Sequence, residues 1–367
     1  MGELATTTIV GIGGFVIGLV FGATVQRTNF CTMGAISDLV LMGDGRRFRA
    51  WALAIAVAII GTHGLHFAGL IDINKSIYLT SNLGWLGAII GGAMFGFGMT
   101  LAGGCGSKTV ARLGAGNLKS LLVAIVLGIV AYMTLRGLFA LARAQLETAT
   151  NIDLKARGFD NQNIGEMAGA LLGAPGNTVR AIAAGAIAAA FLVFCFKDAD
   201  FRRSAVNIAA GLIIGLTPVA GWAVTGIIGA DEFNPTPLAS VTFVAPLGES
   251  LQYLMTFTGS TINFGIAVVG GVIVGSFLMA VATGTFQIEG FTDRDDFVRH
   301  IGGGALMGAG GVLALGCTIG QGITGMSTLA LGSVLAWLSI IAGGYLGVKY
   351  LEEGSFSGAV RAVFARG

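Results

Sequence analysis

The sequence predicts an all-α integral membrane protein of about nine transmembrane helices, some broken or re-entrant, in two inverted-topology repeats that meet at the membrane centre. The chain is 54% hydrophobic and 11% charged, whereas a soluble domain has about 25% charged residues. It contains 61 glycines but only 5 prolines, which suits closely packed membrane helices. One glycine-rich phrase occurs twice, ending at Gly104-Cys105 and, 212 residues later, at Gly316-Cys317.

Nine segments are long and apolar enough to cross a membrane, which takes about 20 residues. Four further stretches are too short to cross and too apolar for solvated loops. We expect them to be re-entrant or broken helices, because irregular backbone survives at membrane depth only when it is buried in protein or lines a cavity. The predicted spans are residues 8–25, 50–70, 84–102, 117–142, 178–196, 204–220, 260–282, 301–315 and 328–349, and the re-entrant stretches are 28–42, 103–113, 221–230 and 316–327.

The duplication extends upstream, since the spacing of Gly14 and Gly18 returns at Gly211 and Gly215 among similar apolar residues. An odd number of spans before the second copy inverts it, which places a pseudo-twofold axis in the membrane plane. The two Gly-Cys phrases then approach the midplane from opposite sides. We expect a single membrane domain with a first repeat half at 1–145, a linker with one span at 146–202 and a second half at 203–367.

Basic residues predict the orientation, because cytoplasmic loops carry an excess of lysine and arginine. With the N-terminus outside and the C-terminus in the cytoplasm, most of them fall on the cytoplasmic side. These are Arg46, Arg47, Arg49, Lys108, Arg112, Lys119, Lys197, Arg202, Arg203, Arg294, Arg299, Lys349, Arg361 and Arg366, against Lys75, Arg143, Lys155, Arg157 and Arg180 outside.

Cysteine is the reactive residue type at the duplicated positions. Matching settings favour Cys105 and Cys317 as thiols that face a pathway, the alternative being small buried hydrophobes. Cys31 interrupts apolar sequence with a polar run just after the first span, and the second half aligns Ile228 with it. Cys195 lies mid-run in the linker span, where packing is the better interpretation. We expect all four to be free thiols, since disulfides are not typical within membrane segments.

Several polar residues could serve the same pathway. Arg27 could attract an anion or extend to the membrane surface, as long basic side chains do. Lys108 and Arg112 are expected to set the orientation, with anion exit as the alternative. Gln321 could donate hydrogen bonds or cap the short helix that follows Cys317.

No enzyme signature accompanies these residues. The sequence lacks a phosphate loop, a zinc-protease motif, a serine-hydrolase elbow, paired intramembrane carboxylates and a C-x-x-C redox pair. We therefore expect no catalytic residues and no cofactor. His63 and His66 share a helix face, but without a nearby carboxylate or cysteine they predict a polar helix end rather than a metal site. The net charge of +2 gives no indication of a nucleic-acid partner.

Three cysteine motifs together resemble the YeeE/YedE family of sulfur-compound transporters, over nearly the whole chain. The resemblance implies inverted halves whose broken helices meet at the membrane centre, and three cysteines that pass thiosulfate by transient S–H hydrogen bonds. Those roles fall on Cys31, Cys105 and Cys317. The motifs are Thr28-Asn29-Phe30-Cys31-Thr32-Met33-Gly34, Gly103-Gly104-Cys105-Gly106-Ser107 and Gly316-Cys317-Thr318-Ile319-Gly320-Gln321-Gly322.

The expected function is thus import of thiosulfate across a bacterial inner membrane. Some family members carry a fused sulfur-carrier domain with a Cys-Pro motif. This chain has no Cys-Pro dipeptide, so any small cytoplasmic sulfur-carrier protein is a separate partner. The alternatives are transport of another sulfur or selenium species, a membrane thiol redox module, and a metal transporter that uses cysteine and histidine.

Overall fold

Long apolar helices make up most of the chain in the computed structural model, which describes residues 6–231 and 236–364. Eight helical stretches of that part are long and apolar enough to cross a membrane, which confirms the all-α membrane class. The helices are α1 (Thr6–Thr28), α2 (Thr32–Ser37), α3 (Arg46–Phe67), α4 (Trp85–Leu101), α5 (Gly106–Gly114), α6 (Leu118–Leu135), α7 (Ala140–Thr150), α8 (Ile164–Leu172), α9 (Gly176–Phe196), α10 (Ala199–Arg203), α11 (Ala205–Ala223), α12 (Val244–Met255), α13 (Phe264–Ala282), α14 (Arg294–Leu313), α15 (Leu331–Glu353) and α16 (Phe356–Phe364).

The predicted span at 301–315 corresponds to α14. This helix has 20 residues, but its first turn is charged, so it is not among the eight apolar stretches. It nevertheless packs inside the bundle, against α4 and α6. Helix α12 was not expected from the sequence, because it is short and follows a loop. It packs against α6 and α13.

Breaks in the long helices occur near most of the predicted re-entrant stretches. Helix α1 ends at Thr28 and α2 begins at Thr32, while α4 and α5 are separated by residues 102–105. The stretch 221–230 behaves differently, because α11 continues directly into a π-helix, Val224–Ile228. That segment is therefore the end of a long helix and not a separate re-entrant one. The other π-helices are Asp38–Met42 and Gly320–Gly325.

Helices α4 and α14 cross through reciprocal glycine contacts. A Cβ atom added to Gly91 would lie 2.6 Å from the carbonyl oxygen of Gly310, and one added to Gly310 would lie 2.6 Å from that of Gly91. Gly98 and Gly303 face each other in the same way. In the 212-residue repeat Gly303 corresponds to Gly91 and Gly310 to Gly98. The contact between Gly91 and Gly310 is therefore the repeat equivalent of the contact between Gly303 and Gly98. A twofold relation between the two helices produces this pattern.

The remaining long helices exchange partners between the halves. Gly18 of α1 approaches the carbonyl oxygen of Val268 in α13 too closely for any side chain. Its repeat equivalent, Gly215 of α11, approaches the carbonyl oxygen of Ala54 in α3, where a Cβ would lie at 2.6 Å. Similarly, α4 packs against α15 and α14 against α6. Close backbone approach through small residues supplies the packing that lipid cannot.

Segments between the long helices are tied together at one end of the bundle. Strands β1 (Asn82–Leu83) and β2 (Ile152–Asp153) form an antiparallel pair. Arg180 of α9, expected in an outer loop, is instead fully buried. It forms an ion pair with Glu166 of α8 at 2.5 Å and donates to Asn74 Oδ1 at 3.0 Å. Arg180 thus lies inside α9 and not in a loop, and the Glu166 carboxylate of the preceding helix compensates its buried charge. The side of the membrane that it faces stays a prediction.

Candidate functional site

The first Gly-Cys phrase forms the turn between α4 and α5. Gly103 has a φ of +67°, which favours glycine, and the chain then enters α5 with Cys105 at its N-cap position. The Cys105 side chain is fully buried, and its sulfur lies 3.3 Å from the Ser107 hydroxyl oxygen. The local sequence thus places a thiol at the start of a short helix inside the bundle.

The second Gly-Cys phrase forms the corresponding turn after α14. Leu315 has a φ of +58°, and Cys317 precedes a helical segment at 318–327. Cys317 is fully buried, and the backbone N–H of Gly320 donates to its sulfur at 3.4 Å. A sulfur atom therefore accepts one of the otherwise free N–H groups at the beginning of this helix.

Cys31 also lies at a break between two helices, although the second half has no cysteine at the aligned position. Helix α1 ends at Thr28, Asn29 takes a φ of +53°, and Cys31 is the N-cap of α2. Phe30 stacks on Trp51 with ring centroids 4.8 Å apart, which fixes the break against α3. Cys31 is buried as well. All three predicted cysteines thus precede a helix at a break in the backbone.

The fold brings these cysteines together from distant parts of the sequence. The Cys31 thiol lies beside the Cys105 thiol. The Thr318 hydroxyl is another neighbour of the Cys105 thiol, and Cys317 lies within electrostatic range of it. The two Gly-Cys phrases therefore meet, as the duplication predicts. All four cysteines of the chain are free and buried.

The glycine before each duplicated cysteine lies next to the stem of a side chain from the helical segment that follows. A Cβ on Gly104 would lie 3.4 Å from Cγ of Lys108. A Cβ on Gly316 would lie 3.3 Å from Cγ of Gln321. The two predicted glycines thus provide room for the stems of a lysine in one copy and a glutamine in the other.

Lys108 is the residue whose position the sequence did not predict. A role in orientation places it at a membrane surface, but its side chain is buried. Its Nζ donates to Asn29 Oδ1 at 2.9 Å, and both Cys31 and Cys105 lie close enough to interact with its charge. The available signal was its spacing, since a residue three positions after Cys105 in a helix shares that residue's face.

Gln321 follows Cys317 by four residues in the chain, and its side chain is buried. Its Nε2 donates to the Ala314 carbonyl at 2.5 Å, while its Oε1 has no hydrogen-bond partner. It lines a small pocket of about 20 Å³, together with Tyr78 and Ser333. None of the residues that line this pocket carries a formal charge.

Arg27 and Cys195 lie apart from this arrangement. Arg27 is exposed in the last turn of α1 and makes no hydrogen bond or ion pair with the described residues. Its contribution to an anion pathway stays a prediction. Cys195 is buried in α9 and donates to the Arg49 carbonyl at 3.1 Å, so it serves the packing of α9 against α3.

The two histidines of α3 do not assemble a metal site. His63 is buried, with Nδ1 3.1 Å from the Ile59 carbonyl oxygen, and His66 Nδ1 lies 3.2 Å from the Ile71 carbonyl oxygen. Within residues 6–231 and 236–364, no group of three or more histidine, cysteine or acidic side chains is arranged to hold a metal ion.

Comparison with known proteins supports the assignment suggested by the cysteine motifs. A family profile described as "Sulphur transport" matches residues 27–346. The thiosulfate transporter TsuA of Escherichia coli K12 is 27% identical over 85% of this chain and 86% of its own length. TsuA of Spirochaeta thermophila is 27% identical over 90% and 96%, respectively.

A shorter match involves a different branch of relatives. The probable transporter YedE of Salmonella typhimurium is 33% identical over 90 residues, which is 24% of this chain and 20% of that protein. The profile, in contrast, spans the cysteine motifs of both halves. The chain belongs to the sulphur transport (YeeE/YedE) family, and it is a multi-pass membrane transporter of sulfur compounds, not an enzyme.

Proposed function

We propose that this protein imports thiosulfate along a pathway that passes Cys317, Cys105 and Cys31. The observation that carries the proposal is the meeting of three buried thiols at helix breaks, two of them from sequence-equivalent positions. The names of the two long relatives support thiosulfate as the sulfur compound.

Thiols are suited to this substrate because of what a dianion loses on entering the membrane. Dehydrating a charged group in an apolar medium is very costly, so the pathway must offer replacement donors. An S–H group donates only weakly, and an apolar setting favours the neutral thiol over a repelling thiolate. Several weak sites in series allow an ion to enter and to leave. The thiosulfate ion therefore passes from one S–H donor to the next.

Hydroxyl and backbone groups next to the cysteines add to this set of donors. Thr32 and Thr318 each follow a cysteine directly. Within the described residues the buried Thr32 hydroxyl oxygen has no hydrogen-bond partner, and the Thr318 hydroxyl lies beside the Cys105 thiol. The first N–H groups of α5, and of the helical segment at 318–327, supply the positive ends of helix dipoles, each about half a charge. An anion held there would satisfy groups that the protein alone leaves free.

The distribution of basic residues supports one orientation of the protein in the membrane. In the proposed orientation the N-terminus is outside, the C-terminus is cytoplasmic, and Cys317 is reached before Cys31. The pocket at Gln321 is then the outer entrance, and Lys108 lies on the cytoplasmic side. Within this proposal residues 1–145 and 203–367 are the inverted halves, and residues 146–202 are the linker.

Energy for import must come from outside the pathway. Moving one charge against 100 mV costs about 2.3 kcal/mol, so a dianion faces about 4.6 kcal/mol in a negative-inside cell. Within the described residues, no Asp or Glu side chain is among the main groups that interact with the three thiols, so no carboxylate is placed there to carry a coupled proton. We propose that a separate small sulfur-carrier protein consumes the product in the cytoplasm, docking near Arg112 and the Arg46–Arg49 loop. A sodium or proton requirement in liposomes would argue against this partner.

Uptake into liposomes with a panel of solutes tests the assignment. Labelled thiosulfate should enter and be recovered chemically unchanged, and unlabelled thiosulfate should compete better than sulfate, selenite or a persulfide. Preferential uptake of another member of the panel would transfer the function to that species. Recovery of sulfite and reduced sulfur inside would instead indicate a thiol redox module.

A further inference from the structure

Lys108 carries a buried positive group without a negative partner. Its side chain is 5% exposed, and within the described residues its ammonium group donates to the neutral amide oxygen of Asn29, 2.9 Å away. Two of the three ammonium donors therefore remain available. Within the described residues it forms no ion pair with a carboxylate. Arg47 and Arg112 repel its charge, and the neighbouring Cys31 and Cys105 thiols attract it only when they are ionised.

Each of these basic neighbours already has a partner of its own. Arg47 lies 3.2 Å from the Asp38 carboxylate, and Arg112 donates to the Gly103 carbonyl at 2.7 Å. Lys108 has no comparable negative partner. A buried charge without compensation is strongly destabilising, so such a residue is retained when a ligand supplies the missing charge. Its location beside two thiols specifies where that ligand would bind.

We propose that Lys108 is the fixed counter-charge of the pathway and binds a doubly charged oxoanion between Cys31 and Cys105, with Asn29 as its partner when the anion is absent. The proposal rests on the proposed function, since it places the substrate at the same thiols. One ammonium group among weak donors gives selectivity for dianions over neutral sulfur compounds. A cluster of lysines, in contrast, would retain the ion and slow its release.

Binding to the purified full-length protein tests the proposal directly. Thiosulfate and sulfate are titrated calorimetrically into wild type, Lys108→Met and Lys119→Met. Lys119 is the matched control, because it lies outside the site in an ion pair with Asp296 at 3.0 Å. Lys108→Met should bind about 10- to 100-fold more weakly, the effect expected from one charged hydrogen-bond donor. Lys119→Met should bind like wild type.

Two further readouts separate a counter-charge from a structural lysine. Without anion, Lys108→Met should unfold at the same temperature as wild type or higher, because it removes an uncompensated charge. Asn29→Gly removes the amide while keeping a backbone conformation that glycine adopts freely, so it should bind thiosulfate within about twofold of wild type. Asn29→Asp should weaken binding about as strongly as Lys108→Met, because a carboxylate would occupy the lysine.

The outcomes distinguish this proposal from the proposed function. Equal dianion binding by Lys108→Met and Lys119→Met would overturn the counter-charge, as would a wild-type protein that binds neither dianion. If Asn29→Gly lost binding as fully as Lys108→Met, the lysine would be structural. If wild type binds sulfate through Lys108 but takes up no thiosulfate, the proposed function fails while the anion site stands.

Discussion

The two Gly-Cys copies share a backbone but differ in the side chains around the thiol. Cys105 and Cys317 both follow a glycine at the end of a long helix and precede a short helical segment. Three residues later the first copy has Lys108, whereas the second has Gly320, whose N–H donates to the cysteine sulfur. The repeated sequence thus places a thiol in both copies, whereas the charged side chain stands in the first copy only.

The same divergence continues along the short helix. Position 112 is an arginine in the first copy, while the equivalent Thr324 donates to the Val241 carbonyl at 2.6 Å. Position 109 is a threonine, whereas its equivalent Gln321 lines the uncharged pocket. A twofold-related scaffold therefore has a basic side and a neutral side. An anion on the proposed pathway would therefore meet a different environment at each of the two copies.

Substitution of Cys105 should have the largest effect, since its thiol neighbours both the Cys31 thiol and the Thr318 hydroxyl of the second copy. Cys105→Ala should lower thiosulfate uptake about 100-fold, because a buried hydrogen bond to a charged group contributes about 1.5–3 kcal/mol. Cys105→Ser keeps a donor and should retain partial uptake. Initial rates in liposomes with equal protein content give the comparison. Equal rates for the serine and alanine variants would contradict a hydrogen-bond relay.

Cys317→Ala should reduce uptake less, by about tenfold. The Gly320 N–H and the Thr318 hydroxyl remain as donors once the sulfur is gone, so part of the site survives. The control is Cys195→Ala, whose thiol bonds to the Arg49 carbonyl. It should transport at the wild-type rate. A larger loss for Cys317→Ala than for Cys105→Ala would reverse the order that the comparison predicts.

Gly310→Ala should loosen the crossing that holds the two copies together. Its Cβ would lie 2.6 Å from the Gly91 carbonyl oxygen, and overpacking of this kind costs about 1–3 kcal/mol. We expect a lower midpoint in thermal unfolding and a modest loss of uptake per folded molecule. Gly302→Ala, on the same helix with nothing within 4 Å of the added atom, is the control. Identical midpoints for both would argue against close backbone contact at Gly310.

Gln321→Glu should have the smallest effect of the series. It places a negative charge in the pocket beside Cys317 and repels an anion, so uptake at low thiosulfate should fall about threefold, with some of the effect screened by salt. Gln321→Met, similar in size and uncharged, is the matched comparison. The KM for thiosulfate measures the difference. An unchanged KM in Gln321→Glu would place the anion's entrance elsewhere.

Much of the architecture could be predicted because it depends on local patterns. Apolar runs and glycine spacing specify the long helices, and the repeated phrase predicts that Cys105 and Cys317 meet. The π-helical end of α11, Val224–Ile228, could not be separated from a re-entrant segment. Composition is the same in both, and only the continuing hydrogen-bond pattern distinguishes them.

Burial of charged residues was the part that the sequence could not reveal. Arg180 is buried because Glu166 and Asn74 reach it from separate segments. Lys108 is buried beside Asn29, which is 79 residues away in the chain. Such compensation is non-local, so loop position alone assigned both residues to a membrane surface. The roles of Cys31, Cys105 and Cys317 in a relay stay a prediction, although the structure places the three thiols near one another.

Uptake of labelled thiosulfate into liposomes that contain only this purified protein tests the central claim most directly. Wild type and Cys105→Ala should be measured side by side, with empty liposomes as the background. The account predicts uptake by wild type and almost none above background by Cys105→Ala. Equal uptake by the two proteins would contradict a pathway through the thiols, and no uptake by wild type would contradict thiosulfate as a substrate of this protein alone.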